Sequence, residues 1–118
     1  YGIRSGVQLT AGASIDYNAL GNLTGHNHGS QTTGGGMAIL HVPTNSIGGG
    51  ATTIKVQHDA SSGFGSAADL VSFTAVGAST KTSELVAISG TIKQYVRVTA
   101  STAGSSGSIT FMVSLARF

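Results

Sequence analysis

The closing segment of the chain, residues 108–117, alternates between large apolar side chains and side chains that, apart from Met112, are small or polar. Its large apolar residues stand at every second position, as Ile109, Phe111, Val113 and Leu115. This is the period of a β-strand with one face buried, and it places apolar side chains on all sides of a helix. Residues 92–100 repeat the pattern, so both segments are predicted to be strands.

Similar short segments recur along the chain, rich in β-branched and aromatic residues and separated by stretches of Gly, Ser and Thr. The predicted strands cover residues 6–10, 36–42, 52–58, 70–76, 83–89, 92–100 and 108–117. The turn-rich residues 101–107 predict that the last two strands form an antiparallel hairpin. Strands at this spacing predict an all-β fold, an antiparallel β-sandwich of jelly-roll or Ig-like type with about seven to eight strands.

The chain has 118 residues, which predicts one domain covering residues 1–118. Two parts of it are predicted to lie outside the sandwich: an N-terminal arm, residues 1–10, and a long Gly-rich loop, residues 21–36. Loops of that length are usually functional or disordered. Residues 47–50 predict a turn into the next strand, and residues 16–20 a single helical turn.

Charged residues are scarce: six Lys and Arg stand against four Asp and Glu, only 8% of the chain. A surface of Ser, Thr, Gly, Asn and Gln follows, and copies of such a surface repel one another weakly. The basic residues are scattered singly, which argues against nucleic-acid readout. No apolar run has the length of a membrane span. The absence of cysteine excludes disulfides and Cys-based zinc sites.

The histidines are the first candidates for metal chemistry. His26 and His28 flank Asn27, and on a strand this spacing would point both rings to one side. No motif supplies a third and fourth ligand, so the pair is predicted to belong to a polar loop, with neither a metal nor a cofactor. His41 and His58 fall in predicted strands, where hydrogen-bonded structural imidazoles are expected.

No catalytic pattern emerges from the acidic residues or the serines, so no enzymatic activity is predicted. The four carboxylates lie in separate segments, and no Gly-x-Ser-x-Gly or phosphate-loop motif occurs. Asp59 and Asp69 bracket a turn-rich loop, where acidic side chains commonly cap backbone amides.

One side of the strand at residues 92–100 carries Lys93, Tyr95 and Arg97. An aromatic plane beside a cation suits a sugar or a peptide. Alternatively, Tyr95 packs against a neighbouring sheet or subunit while Arg97 extends to solvent. The sequence favours the second interpretation, in which Tyr95 packs and Arg97 extends to solvent, over a binding platform.

Four segments in order carry a resemblance to a known family: IKVQHD, ADLVSF, ISGTIKQYVRV and SITFMVSLAR. They resemble the β-domain of tailed-bacteriophage tail-tube and related virion structural proteins, over roughly residues 37–118. Two features depart from the family pattern. Gln94 stands where the family usually has Arg, and the turn at residues 60–65 is longer than the family's Ala-Asp-Gly.

The resemblance implies a structural virion protein that assembles with itself and with other virion proteins, as a tail-tube, capsid-decoration or filament subunit. The arm and the Gly-rich loop are then expected to reach across to a neighbour and to become ordered only there. The residues expected to take part in assembly are Tyr1, Arg4, His26, His28, Tyr95 and Arg97. The alternative is a carbohydrate-binding jelly-roll module, because the segment from Gln94 to Val98 is also similar to such modules.

Overall fold

A computed structural model of the protein describes residues 5–10 and 12–118, and nearly all of their regular structure is β. The strands are β1 (Ser5–Gln8), β2 (Ser14–Asp16), β3 (His26–Asn27), β4 (Gly36–Asn45), β5 (Thr52–Asp59), β6 (Ala68–Ser72), β7 (Thr82–Ile88), β8 (Tyr95–Thr102) and β9 (Ser108–Arg117). They form two antiparallel sheets, which confirms the predicted all-β sandwich.

The strand order identifies the type of sandwich. The first sheet runs β1-β9-β4-β7, with β2 also paired to β9, and the second runs β3-β8-β5-β6. From β3 onward every connection except β5 to β6 passes from one sheet to the other. An eight-stranded double sheet with this exchange is a jelly roll, here β2 to β9 with β1 added beside β9. Of the two predicted types, the chain therefore adopts the jelly roll.

The core lies between the two sheets and is built by the alternation that the sequence shows. The strands contribute their inward positions, and the buried residues include Leu40, Val42, Ile54, Val56, Val96, Val98, Phe111 and Val113. Burying a side chain of this kind contributes about 1.5–3 kcal/mol. Each sheet is therefore fixed in register, because a slip by one residue would turn these side chains outward.

The predicted hairpin between the last two strands is wrong: β8 and β9 belong to different sheets. The connecting segment pairs with the loop after β4 instead, through Ser105 N–H to Gly48 O at 2.9 Å and Ala103 N–H to Ala51 O at 3.0 Å. Gly104 permits this approach, since a Cβ there would lie 2.4 Å from Ile47 Cγ2. The chain thus crosses the end of the sandwich rather than folding back on itself.

The segment at residues 21–36 is mostly irregular, as predicted, but in the structure it packs on its own chain. It contains the short strand β3, which pairs with β8, and it adds bridges from Asn22 to Thr99 and from Thr32 to Ile92. The sequence analysis missed β3 because two residues carry no periodic signal. The segment covers an edge of β8 whose backbone groups would otherwise lack partners.

The remaining differences are local. A 3₁₀ turn over Tyr17–Ala19 and a turn before β5 occur where they were predicted, whereas β2 was missed. β6 lies two to four residues earlier than predicted, and β4 continues past a register shift between His41 and Thr44. Residues 5–8 of the predicted arm form β1, and Tyr1 and Arg4 lie outside the described residues. The described part of the chain holds no helix that could cross a membrane.

Candidate functional sites

The outer surface of the first sheet carries uncharged side chains on four of its strands, with large apolar residues among them. We call it the apolar face: the outward positions of β1, β4, β7 and β9, which are Gly6, Gln8, Met37, Ile39, His41, Ser83, Leu85, Ala87, Thr110, Met112, Ser114 and Ala116. Among them, Ile39 is 44% exposed and Leu85 62% exposed. These two residues are direct cross-strand partners. None of these positions carries Asp, Glu, Lys or Arg.

A shallow depression of about 360 Å³ lies in the apolar face. Small residues of β1 and β9, namely Gly6, Ser114 and Ala116, form its floor, and Met37 and Ile39 stand beside it. The apolar face therefore presents both a projecting pair of side chains and a recess.

The outer surface of the second sheet carries a ladder of hydrogen-bonded polar side chains. Asp69 accepts hydrogen bonds from Lys55 Nζ and from Gln57 Nε2, each at 3.1 Å. Gln57 Oε1 in turn accepts from Arg97 Nε at 3.0 Å. These bonds lower the pKa of the Asp69 carboxyl, the one from Gln57 most strongly. The ladder ties β6, β5 and β8 together on the side facing solvent.

At the end of this ladder lies an open groove of about 440 Å³, which we call the Arg97 groove. Three parts of the chain supply its walls: β8, the segment around β3, and the loop between β5 and β6. Its lining residues are Leu23, Gly25, Asn27, Ser62, Gly63, Phe64, Tyr95 and Arg97. Arg97 is the one charged residue among them.

Phe64 fixes the orientation of the Arg97 side chain. The guanidinium carbon lies 4.6 Å from the centre of the Phe64 ring, a cation–π arrangement. The ring also packs on Gly25, where a Cβ would lie 2.8 Å from it. Phe64 itself has φ +52°, a left-handed backbone conformation that bulky residues rarely adopt and that strains the loop.

His26 and His28 come together, with ring centres 4.7 Å apart in an edge-to-face arrangement. Burial lowers the pKa of His28 to about 4, and the nearby charges of Arg117 and His26 act in the same direction. His28 Nε2 is buried without a hydrogen-bond partner. Arg117 holds this segment to the end of β9, because Nη1 donates to Ser30 O at 2.7 Å.

The histidine pair lacks the further ligands that a metal site needs. Within residues 5–10 and 12–118, no group of three or more His, Cys, Asp or Glu side chains could hold an ion. Two imidazoles alone leave a tetrahedral site half empty.

Two of the other predictions for single residues are confirmed. His58 Nδ1 accepts from the backbone N–H of Lys93 at 3.1 Å, and Asp59 accepts from the N–H groups of Ser61 and Ser66. The bond from Ser66 is the main cause of the lowered pKa of Asp59.

Two predictions of this kind are wrong. Asp69 takes part in the ladder instead of capping a turn. His41 is exposed on the apolar face, because it stands at an outward position of β4.

The structure separates the residues that the sequence analysis grouped as an assembly set. Asn27 stands opposite Tyr95 and His26 opposite Val96. Since directly paired residues share a face of a sheet, Asn27 and Tyr95 face the groove while His26 turns to the opposite side. Tyr95 and Arg97 therefore form one site and the histidines another.

Two residues at these sites were missed by the sequence analysis. Phe64 is a lone aromatic in a loop of Gly and Ser. Leu85 belongs to the run Leu85-Val86-Ala87-Ile88, whose unbroken apolar character was the available signal that both faces of that strand are apolar.

No protein-family model and no curated protein matches the sequence. The chain is similar to a structure of infectious bursal disease virus, Gx strain, with a TM-score of 0.42 and 17% identity over 95% of this chain and 31% of that chain. For the Gt strain the TM-score is 0.37, with 16% identity over 95% and 29% of the two chains. This chain thus spans about a third of the length of those chains.

Proposed function

We propose that the protein is a structural subunit of a virion and that it assembles with copies of itself through the apolar face. The observation that carries the proposal is the exposed pair Ile39 and Leu85 among outward positions of β1, β4, β7 and β9 that carry no Asp, Glu, Lys or Arg. Asp16, the acidic residue on this side of the sheet, lies on β2 beside the start of β9. Contiguous exposed apolar surface of this kind marks interaction sites in soluble proteins.

The contrast between the two outer surfaces supports a specific contact at the apolar face. The second sheet joins four polar side chains, those of Lys55, Gln57, Asp69 and Arg97, into one ladder, so this part of its surface offers little apolar area to a partner. The first sheet offers the opposite case, because its apolar groups lose contact with water only when another molecule covers them.

A second copy of the chain is the partner that the composition favours. Interfaces between identical subunits are more apolar than the rest of the surface and are poor in charged residues. The apolar face carries both a projecting pair and a recess of about 360 Å³, so it has features that can fit into one another across a two-fold axis. The edge strand β7, which bears Leu85, also has backbone groups available to a neighbouring sheet.

The virion is the setting that the sequence resemblance favours. Residues 37–118 resemble the β-domain of phage tail-tube and related virion proteins, which implies assembly into rings or shells. The jelly roll is compatible with that setting, since viral capsid domains use it, but lectin domains and cupins use it too. The choice among tube, capsid decoration and filament is left to imaging of the assembled material.

The test introduces a charge at the centre of the apolar face. Leu85→Glu is compared with Ser101→Glu, a matched change at an exposed position of β8 on the opposite outer surface. Full burial of a leucine contributes about 1.5–3 kcal/mol. Leu85 is 62% exposed, so covering its exposed part in an interface would contribute about 1–2 kcal/mol to the free energy of association. A two-fold interface contains Leu85 from both subunits, so the variant would lose about 2–4 kcal/mol of association free energy. That loss corresponds to association at least about thirty-fold weaker.

Analytical ultracentrifugation and negative-stain electron microscopy give the readout. We expect the wild type and Ser101→Glu to assemble, and Leu85→Glu to remain a monomer with an unchanged circular dichroism spectrum. A wild-type protein that stays monomeric at every concentration, or a Leu85→Glu protein that assembles normally, would contradict the proposal.

A further inference from the structure

We infer that the Arg97 groove is a binding site for an acidic sugar, a uronic or sialic acid whose carboxylate pairs with Arg97. The inference rests on the geometry of the groove and is independent of the assembly proposed for the apolar face.

The guanidinium of Arg97 is held in place with its binding edge unused. Its Nε donates to Gln57 Oε1 at 3.0 Å, and its guanidinium carbon lies over the Phe64 ring, 4.6 Å from the ring centre. Nη1 and Nη2 have no hydrogen-bond partner among the described residues. Two parallel N–H groups on a fixed plane match the two oxygens of a carboxylate.

The charge around the groove selects an anion. No acidic side chain lines it. The carboxylate of the ladder, Asp69, is already bound by Lys55 and Gln57, and that of Asp59, which pairs with Tyr95, accepts from the N–H groups of Ser61 and Ser66. A negative ligand would therefore meet Arg97 without competition from a carboxylate of the groove itself.

The other lining groups suit a polyhydroxylated ring. The hydroxyls of Ser62 and Tyr95 and the Nδ2 amide of Asn27 have no partner among the described residues, and they surround the apolar surfaces of Leu23 and Tyr95. Asn27 Oδ1 is fixed by Gln94 Nε2 at 3.0 Å and by Gly29 N–H at 2.7 Å, so its amide donors have a defined direction. A pocket of about 440 Å³ is within the size range of small-molecule sites.

Strain at Phe64 favours a binding role over a purely structural one. The left-handed φ of +52° costs free energy for a bulky residue, and glycine would adopt it freely. Retaining phenylalanine there places an aromatic ring against the guanidinium and keeps Arg97 oriented before a ligand arrives, which lowers the entropic cost of binding.

The experiment is saturation-transfer difference NMR on the wild-type protein. The probes are D-glucuronate and N-acetylneuraminate, with D-glucose as the neutral sugar and acetate as the bare carboxylate. We expect transfer to the ring protons of one or both acidic sugars and little to glucose or acetate. Equal binding of acetate, or no transfer to either acidic sugar, would overturn the inference.

Variants assign the binding to the groove. Arg97→Gln and Lys93→Gln remove the same charge, but Lys93 is not among the lining residues. We expect Arg97→Gln to weaken binding by about ten- to hundred-fold and Lys93→Gln to leave it nearly unchanged. Equal losses in both would indicate a general attraction of anions and refute the site.

The variant Phe64→Gly tests whether a loss of sugar binding can occur without a loss of folding. Glycine relieves the strained φ while removing the ring, so the variant is expected to fold and yet bind more weakly. If its affinity equals that of the wild type, the orienting role of Phe64 is wrong. If the unliganded protein shows the Arg97 side chain paired with a carboxylate of a neighbouring copy, the groove is a subunit contact and the inference fails.

Discussion

Replacing His28 by glutamine should flatten the dependence of stability on pH between about 4 and 6.5. His28 lies half-buried beside Arg117 and His26, and burial is the main cause of a pKa lowered to about 4. Protonation there would place a cation next to a guanidinium in a site that already lacks a partner for Nε2. The folded state therefore binds this proton less readily than the unfolded state does.

The sign and size of the effect follow from that difference. Between pH 6.5 and about 4 the unfolded chain takes up the proton and the folded chain does not, so stability falls as the pH is lowered through this range. At 1.36 kcal/mol per pKa unit, the upper bound is about 3.4 kcal/mol. Because the residue is only half-buried and solvent screens its surroundings, we expect about 1–2 kcal/mol.

Urea denaturation of wild type and His28→Gln at a series of pH values, at equal protein concentration, measures the effect. The control is His41→Gln, the same substitution at an exposed histidine of the apolar face, on a different element from His28, which follows β3, and from Arg117 on β9. Some slope will remain in His28→Gln, since the pKa of His58 is also lowered by burial. Parallel stability curves for wild type and His28→Gln would refute the proposed environment of this residue.

Two further predictions concern the connections between strands. Gly104→Ala should destabilise the fold by about 1–3 kcal/mol, because the new Cβ would lie 2.4 Å from Ile47 Cγ2 and 2.8 Å from Gly48 O. Calorimetry should show no comparable loss for Gly65→Ala, where no atom lies within 4 Å of the new Cβ. Asp59→Asn should lower the melting temperature at neutral pH, since the carboxylate accepts two backbone hydrogen bonds in the turn after β5. The pKa of Asp59 is lowered in the folded state, so the difference from wild type should shrink as the pH falls below the ordinary value of 3.8 and through the lowered pKa of the fold, and a constant difference would contradict the capping role.

The sequence predicted the strands well because alternation is a local property. Residues 108–117 show it within one segment, and β9 has those bounds. Which strands pair with each other is not a local property. β8 pairs with β5, about forty residues earlier, and no feature of either segment distinguishes this pairing from a hairpin with β9. The pairing is decided by which arrangement buries both apolar faces, and that depends on the whole chain.

The sequence predicted only part of the Arg97 groove, because the other residues that form it come from distant parts of the chain. Tyr95 and Arg97 stood out as an aromatic and a cation at alternate positions of one strand. Phe64, which orients the cation, and Gln57, which holds its Nε, come from a distant loop and strand. Only the folding of β5 and β6 beside β8 brings them to Arg97, and the strained backbone at Phe64 has no counterpart in the sequence pattern.

The jelly roll allows the two proposed activities to coexist in one small domain. Each sheet turns one surface to the common core and leaves the other outside, so the chain has two outer surfaces that point away from each other. A subunit that packs through Ile39 and Leu85 on the first sheet still presents Tyr95 and Arg97 on the second. The two proposals therefore predict that assembly and sugar binding can be lost independently of each other. Leu85→Glu should abolish assembly and retain sugar binding, and Arg97→Gln should do the reverse. Loss of both properties in either variant would show that the two surfaces are coupled, and the separation argued from the sheet geometry would then be wrong.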